Sequence, residues 1–322
     1  MTPPAVVLEG LHVRYGDTVA LAGLSFAVPA GAITALLGPN GAGKTTTVEI
    51  CEGYRRPDAG SVRVWGLDPQ RDGAALRARV GVMLQDGGIY SSSRAVPMLR
   101  HLASFYADPL DVDDLVARLG LDSVRATYRR MSGGEKQRLA LACAVVGRPD
   151  LVFLDEPSAG MDPQTRLAAW DLVEQLRRDG VTVVLTTHLM DEAERLADTV
   201  VIVDHGRVVA QGSPADLRRE VLGRSTYQVE VAGDTASLPI LLAAIDPTLQ
   251  VSASGEPDAE GFRRLTLSTE NNTELGEPLL RTLGSQPYRL RALSRINPTL
   301  EDVFLAATRR SWDVKSSDLR KK

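Results

Sequence analysis

The stretch Gly38-Pro39-Asn40-Gly41-Ala42-Gly43-Lys44-Thr45 ends a run of small residues with an ammonium and a hydroxyl. Small side chains let successive backbone N–H groups turn inward onto the oxygens of a phosphate. Lys44 can then reach the β- and γ-phosphates of a nucleotide, and the Thr45 hydroxyl can ligate Mg2+. This is the phosphate-binding, or Walker A, pattern, and it makes the chain a nucleotide-binding protein. A second group is the carboxylate pair Asp155-Glu156. Asp155 suits Mg2+, directly or through water, and Glu156 suits activation of an attacking water as general base. Adjacent strand residues point to opposite sides, so the two carboxylates cannot share one role.

The phosphate pattern needs a buried strand before it and a helix after it. The apolar run of residues 32–37 supplies the strand. Thr46-Thr47-Val48-Glu49-Ile50 opens the helix, whose N-terminus adds partial positive charge. Residues 80–85, 151–155 and 181–188 read as further buried strands, and each delivers a polar residue at its end: Gln85, Asp155 and His188. Ligands of open α/β sheets bind along that carboxyl edge. Alone, Gln85 reads as a solvated loop residue and His188 as a cap or surface residue. Ending the same kind of strand as Asp155, His188 becomes a polar contact for a γ-phosphate.

Residues 6–15 and 19–28 read as two strands joined at Gly16-Asp17. Tyr15 closes the first, either as a half-buried strand aromatic or as a platform on which a nucleobase stacks. A strand over 60–66 and a short helix over 73–79 follow. Residues 86–130 carry helical patterns at 96–102 and 113–119 and no convincing strand, so they read as a helical insertion into the α/β core. The insertion leads to Met131-Ser132-Gly133-Gly134-Glu135 at a helix start, a second place where N–H groups and a hydroxyl can meet an anion. Alone, that stretch is an ordinary N-cap. After the turn Ser158–Asp162, an amphipathic helix places Leu167, Trp170, Val173 and Leu176 on one face. Residues 199–212 read as a closing hairpin.

The 322 residues allow one large domain and a smaller one. A net charge of −4 gives no basic field, so no nucleic-acid partner is expected. Cys51 and Cys143 both fall in helical stretches and read as buried free thiols of a reducing compartment. No signal peptide and no apolar run of about 18 residues is visible, so a soluble, cytoplasmic chain is expected. Composition shifts after Ser213-Pro214-Ala215-Asp216-Leu217. Residues 225–310 show short alternating strands at 227–231 and 264–267 and helices near 237–245 and 273–284, a small α+β accessory domain without a phosphate, metal or nucleophile motif. The expected layout is 1–217, with the insertion at about 86–148, then 218–310, then a polar tail at 311–322 that reads as disordered.

Taken in order, the motifs of residues 5–217 resemble the ATP-binding cassette family, the nucleotide-binding subunits of ABC transporters. Residues 38–45 resemble its P-loop, Gln85 the Q-loop, Met131–Glu135 the signature, Asp155 and Glu156 the second carboxylate motif with its catalytic glutamate, Ser158–Asp162 the D-loop, His188 the switch histidine and Tyr15 the base-stacking aromatic. The signature departs from the commonest Leu-Ser-Gly-Gly-Gln at Met131 and Glu135. Pro298-Thr299-Leu300-Glu301-Asp302-Val303-Phe304-Leu305 looks like the closing motif of daunorubicin-resistance-type ATP-binding proteins, the separately encoded ATPase subunits of ABC-2-type exporters.

The resemblance implies an α/β P-loop NTPase core with an antiparallel β subdomain and a helical insertion. It implies ATP and Mg2+ as ligands. Nucleotide would be held by Tyr15, Gly38, Pro39, Asn40, Gly41, Ala42, Gly43, Lys44, Thr45 and Thr46, and in the head-to-tail dimer by Ser132, Gly133, Gly134 and Asp162. Mg2+ would be held by Thr45, Gln85 and Asp155. Glu156, His188, Lys44 and Gln85 would carry hydrolysis. It further implies a second ATPase subunit, and a separate polytopic membrane subunit whose coupling helix meets the insertion near Ile89 and Tyr90. The ATPase would then sit peripherally on the cytoplasmic face of the membrane. A soluble ABC-type ATPase acting on nucleic acid or ribosomes, and an importer cassette, share most of these motifs and stand as the alternatives.

Overall fold

The computed structural model describes residues 3–83, 88–221, 225–233, 237–254, 256–269, 275–284, 287–296 and 299–308. Gln85 and the tail 311–322 lie outside the described residues. The chain divides into two compact units: the first is Met1–Pro214 together with the chain from Ala307, and the second is Ala215–Ala306.

In the first unit, β1 (Val6–Tyr15) and β2 (Thr18–Val28) form the expected hairpin, and Val6 pairs with Val28. β3 (Ile33–Leu37) runs into α1 (Lys44–Cys51), and β4 (Ala59–Val64) returns to pair antiparallel with β1. The resulting sheet has the order β2-β1-β4. Its apolar face packs into one core with α1 and the inner residues Leu36, Phe153 and Val201. After α2 (Gly73–Arg77) and β5 (Val80–Met83) come α3 (Ala95–Ala103) and α4 (Val112–Arg118), the helical insertion, and then α5 (Gly133–Val145).

The rest of the unit follows: β6 (Leu151–Asp155), α6 (Pro163–Arg178), β7 (Thr182–Thr187), α7 (Met190–Leu196), β8 (Thr199–Asp204) and β9 (Arg207–Gly212). The six-stranded sheet has the order β5-β6-β7-β3-β8-β9, parallel throughout except for β9. Every residue of β3, β6 and β7 is buried. Their unbroken apolar runs are what a parallel sheet covered on both faces requires. Parallel order also brings the carboxyl ends of β3, β5, β6, β7 and β8 to one edge, with Leu37 beside Thr187 and Asp155 beside Thr186.

Helix α6 corrects one expectation. Its buried residues are Ala169, Trp170, Leu172, Val173 and Leu176, whereas Leu167 is 45% exposed. At 100° per residue Leu167 lies well off the arc centred between Val173 and Leu176. Cys51 is buried and Cys143 half-buried, both free.

The second unit begins with α8 (Pro214–Val221) and forms a sheet of β10 (Ser225–Ala232), β11 (Gln250–Ser254), β12 (Phe262–Thr269) and β13 (Arg289–Ile296) in the antiparallel order β11-β12-β10-β13. Helices α9 (Leu238–Ala243) and α10 (Gly276–Leu283) contribute Leu238, Leu242, Leu279 and Leu283 to a core with Tyr227, Val229 and Leu267. Residues 300–308 form α11.

Candidate nucleotide site and its neighbours

The turn from β3 into α1 is shaped by glycines that accept no substitute. Gly43 caps α1 with φ 104°, and a Cβ there would stand 2.6 Å from Leu21 Cδ2 and 2.7 Å from the Ala20 carbonyl. A Cβ on Gly38 would lie 2.3 Å from the Val203 carbonyl, so β8 braces the start of the loop. Lys44 folds back across this turn and donates to the carbonyls of Gly38 (2.6 Å) and Pro39 (3.3 Å). It is buried. Burial lowers its pKa, and the nearby Glu156 and Asp155 work against that shift. A phosphate in the loop would offer Lys44 a far stronger acceptor than these neutral carbonyls.

The carboxyl edge gathers the other polar groups. Thr45 Oγ1 lies 3.3 Å from Asp155 Oδ2, and the Thr186 hydroxyl donates to Asp155 Oδ1. A hydroxyl beside a carboxylate is a hard-oxygen pair, and it suits Mg2+ arriving with phosphate and water ligands rather than a thiophilic metal. Among the described residues no group of three or more His, Cys, Asp or Glu could hold a metal alone.

Glu156 leaves the strand with φ 53°, the left-handed region, which costs a non-glycine residue about 1–3 kcal/mol. Its backbone is held at both ends. The N–H reaches the Thr186 carbonyl (3.1 Å) and hydroxyl (3.2 Å), and the Gln137 side chain donates to its carbonyl at 2.5 Å. The separation of Asp155 from Glu156 therefore comes from a change of backbone region, not from strand alternation. Glu156 Oε2 meets His188 Nδ1 at 2.5 Å. Thus Lys44, Thr45, Asp155, Glu156 and His188 share one edge. Gln137 and Thr186 hold that edge in place, and no motif reading pointed to either.

Tyr15 stands at the end of β1, 43% exposed, with its hydroxyl 3.3 Å from Thr46 Oγ1 and the Arg55 guanidinium 4.4 Å from its ring centre. The remaining singled-out residues lie elsewhere. Ser132 caps α5 in a reciprocal box: Glu135 N–H donates to Ser132 Oγ (3.2 Å), and Ser132 N–H donates to Glu135 Oε2 (2.7 Å). The unusual Glu135 thus acts as a cap, with its charge at a helix N-terminus where a carboxylate is favoured. Gly134 packs against Gly160, where a Cβ would come within 3.1 Å of the carbonyl. Asp162 caps α6, accepting from Thr165 N–H (3.0 Å) and Thr165 Oγ1 (2.6 Å), and these bonds hold its pKa low. No hydrogen bond among the described residues joins Ser132, Gly133, Gly134 or Asp162 to the phosphate loop.

The ABC transporter family profile matches residues 21–159. The chain is 35% identical to the daunorubicin resistance ATP-binding protein DrrA3 of Streptomyces coeruleorubidus, over 96% of this chain and 97% of that protein. It is 37% identical to the Nod factor export ATP-binding protein I of Ralstonia nicotianae, over 95% of this chain and 94% of that protein. A solved ATP-binding subunit of an ABC transporter superposes with a TM-score of 0.60 at 28% identity, covering 67% of this chain and 92% of that one. The chain belongs to the ATP-binding proteins of ABC transporters. It is an ATP-hydrolysing, nucleotide-binding subunit on the export side of that family.

Proposed function

We propose that two copies of this chain close head to tail around two Mg-ATP and that closure drives efflux through a separate polytopic membrane subunit. The observation that carries this reading is the convergence at one sheet edge of Thr45 with Asp155 and of Glu156 with His188. In each site Lys44 binds the β- and γ-phosphates, and Thr45 and Asp155, joined by Gln85, hold Mg2+. Bound Mg2+ neutralises charge on the phosphates. Glu156 takes a proton from the water that attacks in line. With Nδ1 engaged by Glu156, His188 keeps Nε2 for the γ-phosphate. Tyr15 stacks on the base. Ser132, Gly133, Gly134 and Asp162 serve the nucleotide of the opposite copy, which agrees with their distance in bonding from this chain's own phosphate loop.

Among the described residues no helix is long and apolar enough to cross a membrane, so the pore belongs to another chain in this reading. The subunit sits on the cytoplasmic face, with the region of Ile89 and Tyr90 receiving the membrane partner. Tyr90 is 74% exposed and so open to that contact. The names of the relatives, drug resistance and Nod factor export, favour a drug or lipid-like cargo. Residues 218–310 serve as an accessory domain.

The test is affinity purification of a tagged Glu156→Gln variant from native membranes in mild detergent with ATP and Mg2+. A stoichiometric polytopic protein is expected. Recovery with ribosomes or nucleic acid from the soluble fraction would overturn the exporter reading and leave the ATPase intact.

A further inference from the structure

Behind the Glu156–His188 pair lies a second carboxyl that the hydrolytic scheme does not use. Glu192, on the first turn of α7, is 1% exposed. Trp170 Nε1–H, from the middle of α6, donates to its Oε1 at 2.9 Å. The Ser158 and Thr187 hydroxyls lie beside the carboxyl as well. Glu192 Oε2 and Ser158 Oγ are both buried, and each lacks a completed hydrogen bond.

The elements that meet here are the ones that carry the chemistry. Ser158 is two residues beyond Glu156, in the turn that leads to α6. Thr187 precedes His188 on the strand that leads to α7. We propose that Glu192 is a positioning residue for ATP hydrolysis: by accepting from Trp170 with the Ser158 and Thr187 hydroxyls beside its carboxyl, it fixes the Glu156 turn and the His188 turn relative to each other. This inference rests on Glu156 and His188 being the hydrolytic pair.

Oε1 already accepts from Trp170. Oε2 can accept from the Ser158 hydroxyl, or donate to it when the carboxyl is protonated. Burial, with the Glu156 charge nearby, raises the pKa of Glu192, although its hydrogen bonds oppose this. The cost of desolvating its charge shifts such a buried carboxyl toward the neutral form. A glutamine reproduces that neutral form, with an oxygen to accept from Trp170 and an amide to donate to a hydroxyl. An alanine reproduces neither group, and it leaves three polar groups facing a void.

The experiment compares Glu192→Gln, Glu192→Ala, Trp170→Phe and Glu156→Gln in the full chain, measuring ATP binding with a fluorescent analogue and turnover per bound nucleotide. Glu192→Ala is expected to lower kcat at least about tenfold with nucleotide affinity within about threefold of wild type. Trp170→Phe is expected to lower kcat in the same way by a smaller factor. Glu192→Gln is expected to restore kcat to within about threefold. If Glu192→Ala fails to fold, Trp170→Phe and Glu192→Gln still decide the matter. A Trp170→Phe variant with unchanged kcat, or a Glu192→Gln variant as inactive as Glu156→Gln, would overturn the proposal. Losses of kcat and of binding in equal measure would mark Glu192 as merely structural and overturn it too. Full turnover in Glu156→Gln would instead sink the hydrolytic reading on which it rests.

Discussion

His188 Nδ1 stands 2.5 Å from Glu156 Oε2, across the ends of two neighbouring parallel strands. The pair links a carboxylate that is nearly covered, with a side chain 13% exposed, to an imidazole that is 55% exposed. Polar side chains at the end of an otherwise buried sheet have few partners, and these two find each other. A short bond between a carboxylate and an imidazole fixes the ring orientation and the tautomer, so the base and the phosphate contact are placed together.

Tyr15 presents an exposed ring beside the start of α1, which suits a platform for the base. Tyr15→Ala is expected to raise KM for ATP by about 5–150-fold, from a stacking contribution of about 1–3 kcal/mol, with little change in kcat. Tyr15→Phe keeps the ring face and should stay near wild type. Binding of inorganic triphosphate, which has no base, should be equal in all three proteins.

Gly43→Ala forces a side chain into φ 104° and against Leu21 and the Ala20 carbonyl. A loss of about 2–4 kcal/mol of stability is expected from strain and overpacking together. It should appear in thermal unfolding of the nucleotide-free protein, and nucleotide binding should fall as well because the loop cannot keep its shape.

Glu52, the C-cap of α1, has a pKa raised from 4.5 to about 8 by burial and by the charges of Asp155 and Glu49. The folded state therefore holds a proton that the unfolded state has lost between about pH 4.5 and 8. Its contribution is complete below the unfolded pKa and disappears as pH rises through the folded value. Nucleotide-free protein should lose stability across that window. Glu52→Gln should flatten the loss and stabilise the protein at pH 8.5 by about 1–2 kcal/mol, a figure reduced for the partial exposure of the site. Thermal unfolding as a function of pH measures both.

The edge that carries Lys44, Asp155 and His188 was legible because each follows a short apolar run, and such runs make buried parallel strands. What escaped depends on contacts between distant residues. Gln137 reaches the Glu156 carbonyl from α5, and Trp170 reaches Glu192 from α6, with no local pattern to mark either. The positive φ of Glu156 has no signature in a non-glycine residue. In the second unit β11 and β13 are edge strands: β11 alternates, but only with the small apolar side chains Val251 and Ala253, and β13 has no fully buried position. Glu135 departs from the commonest form of the signature, yet it completes a capping box whose spacing from Ser132 was open to reading.

The central claim is that Glu156 activates water while Lys44 and its loop bind nucleotide. Steady-state ATPase activity and ATP affinity of Glu156→Gln, measured side by side with the unmutated chain, test it most directly. A fall in kcat of about 10²–10⁴-fold is expected, the range for a lost general base, with affinity retained. Turnover near the unmutated rate would contradict it.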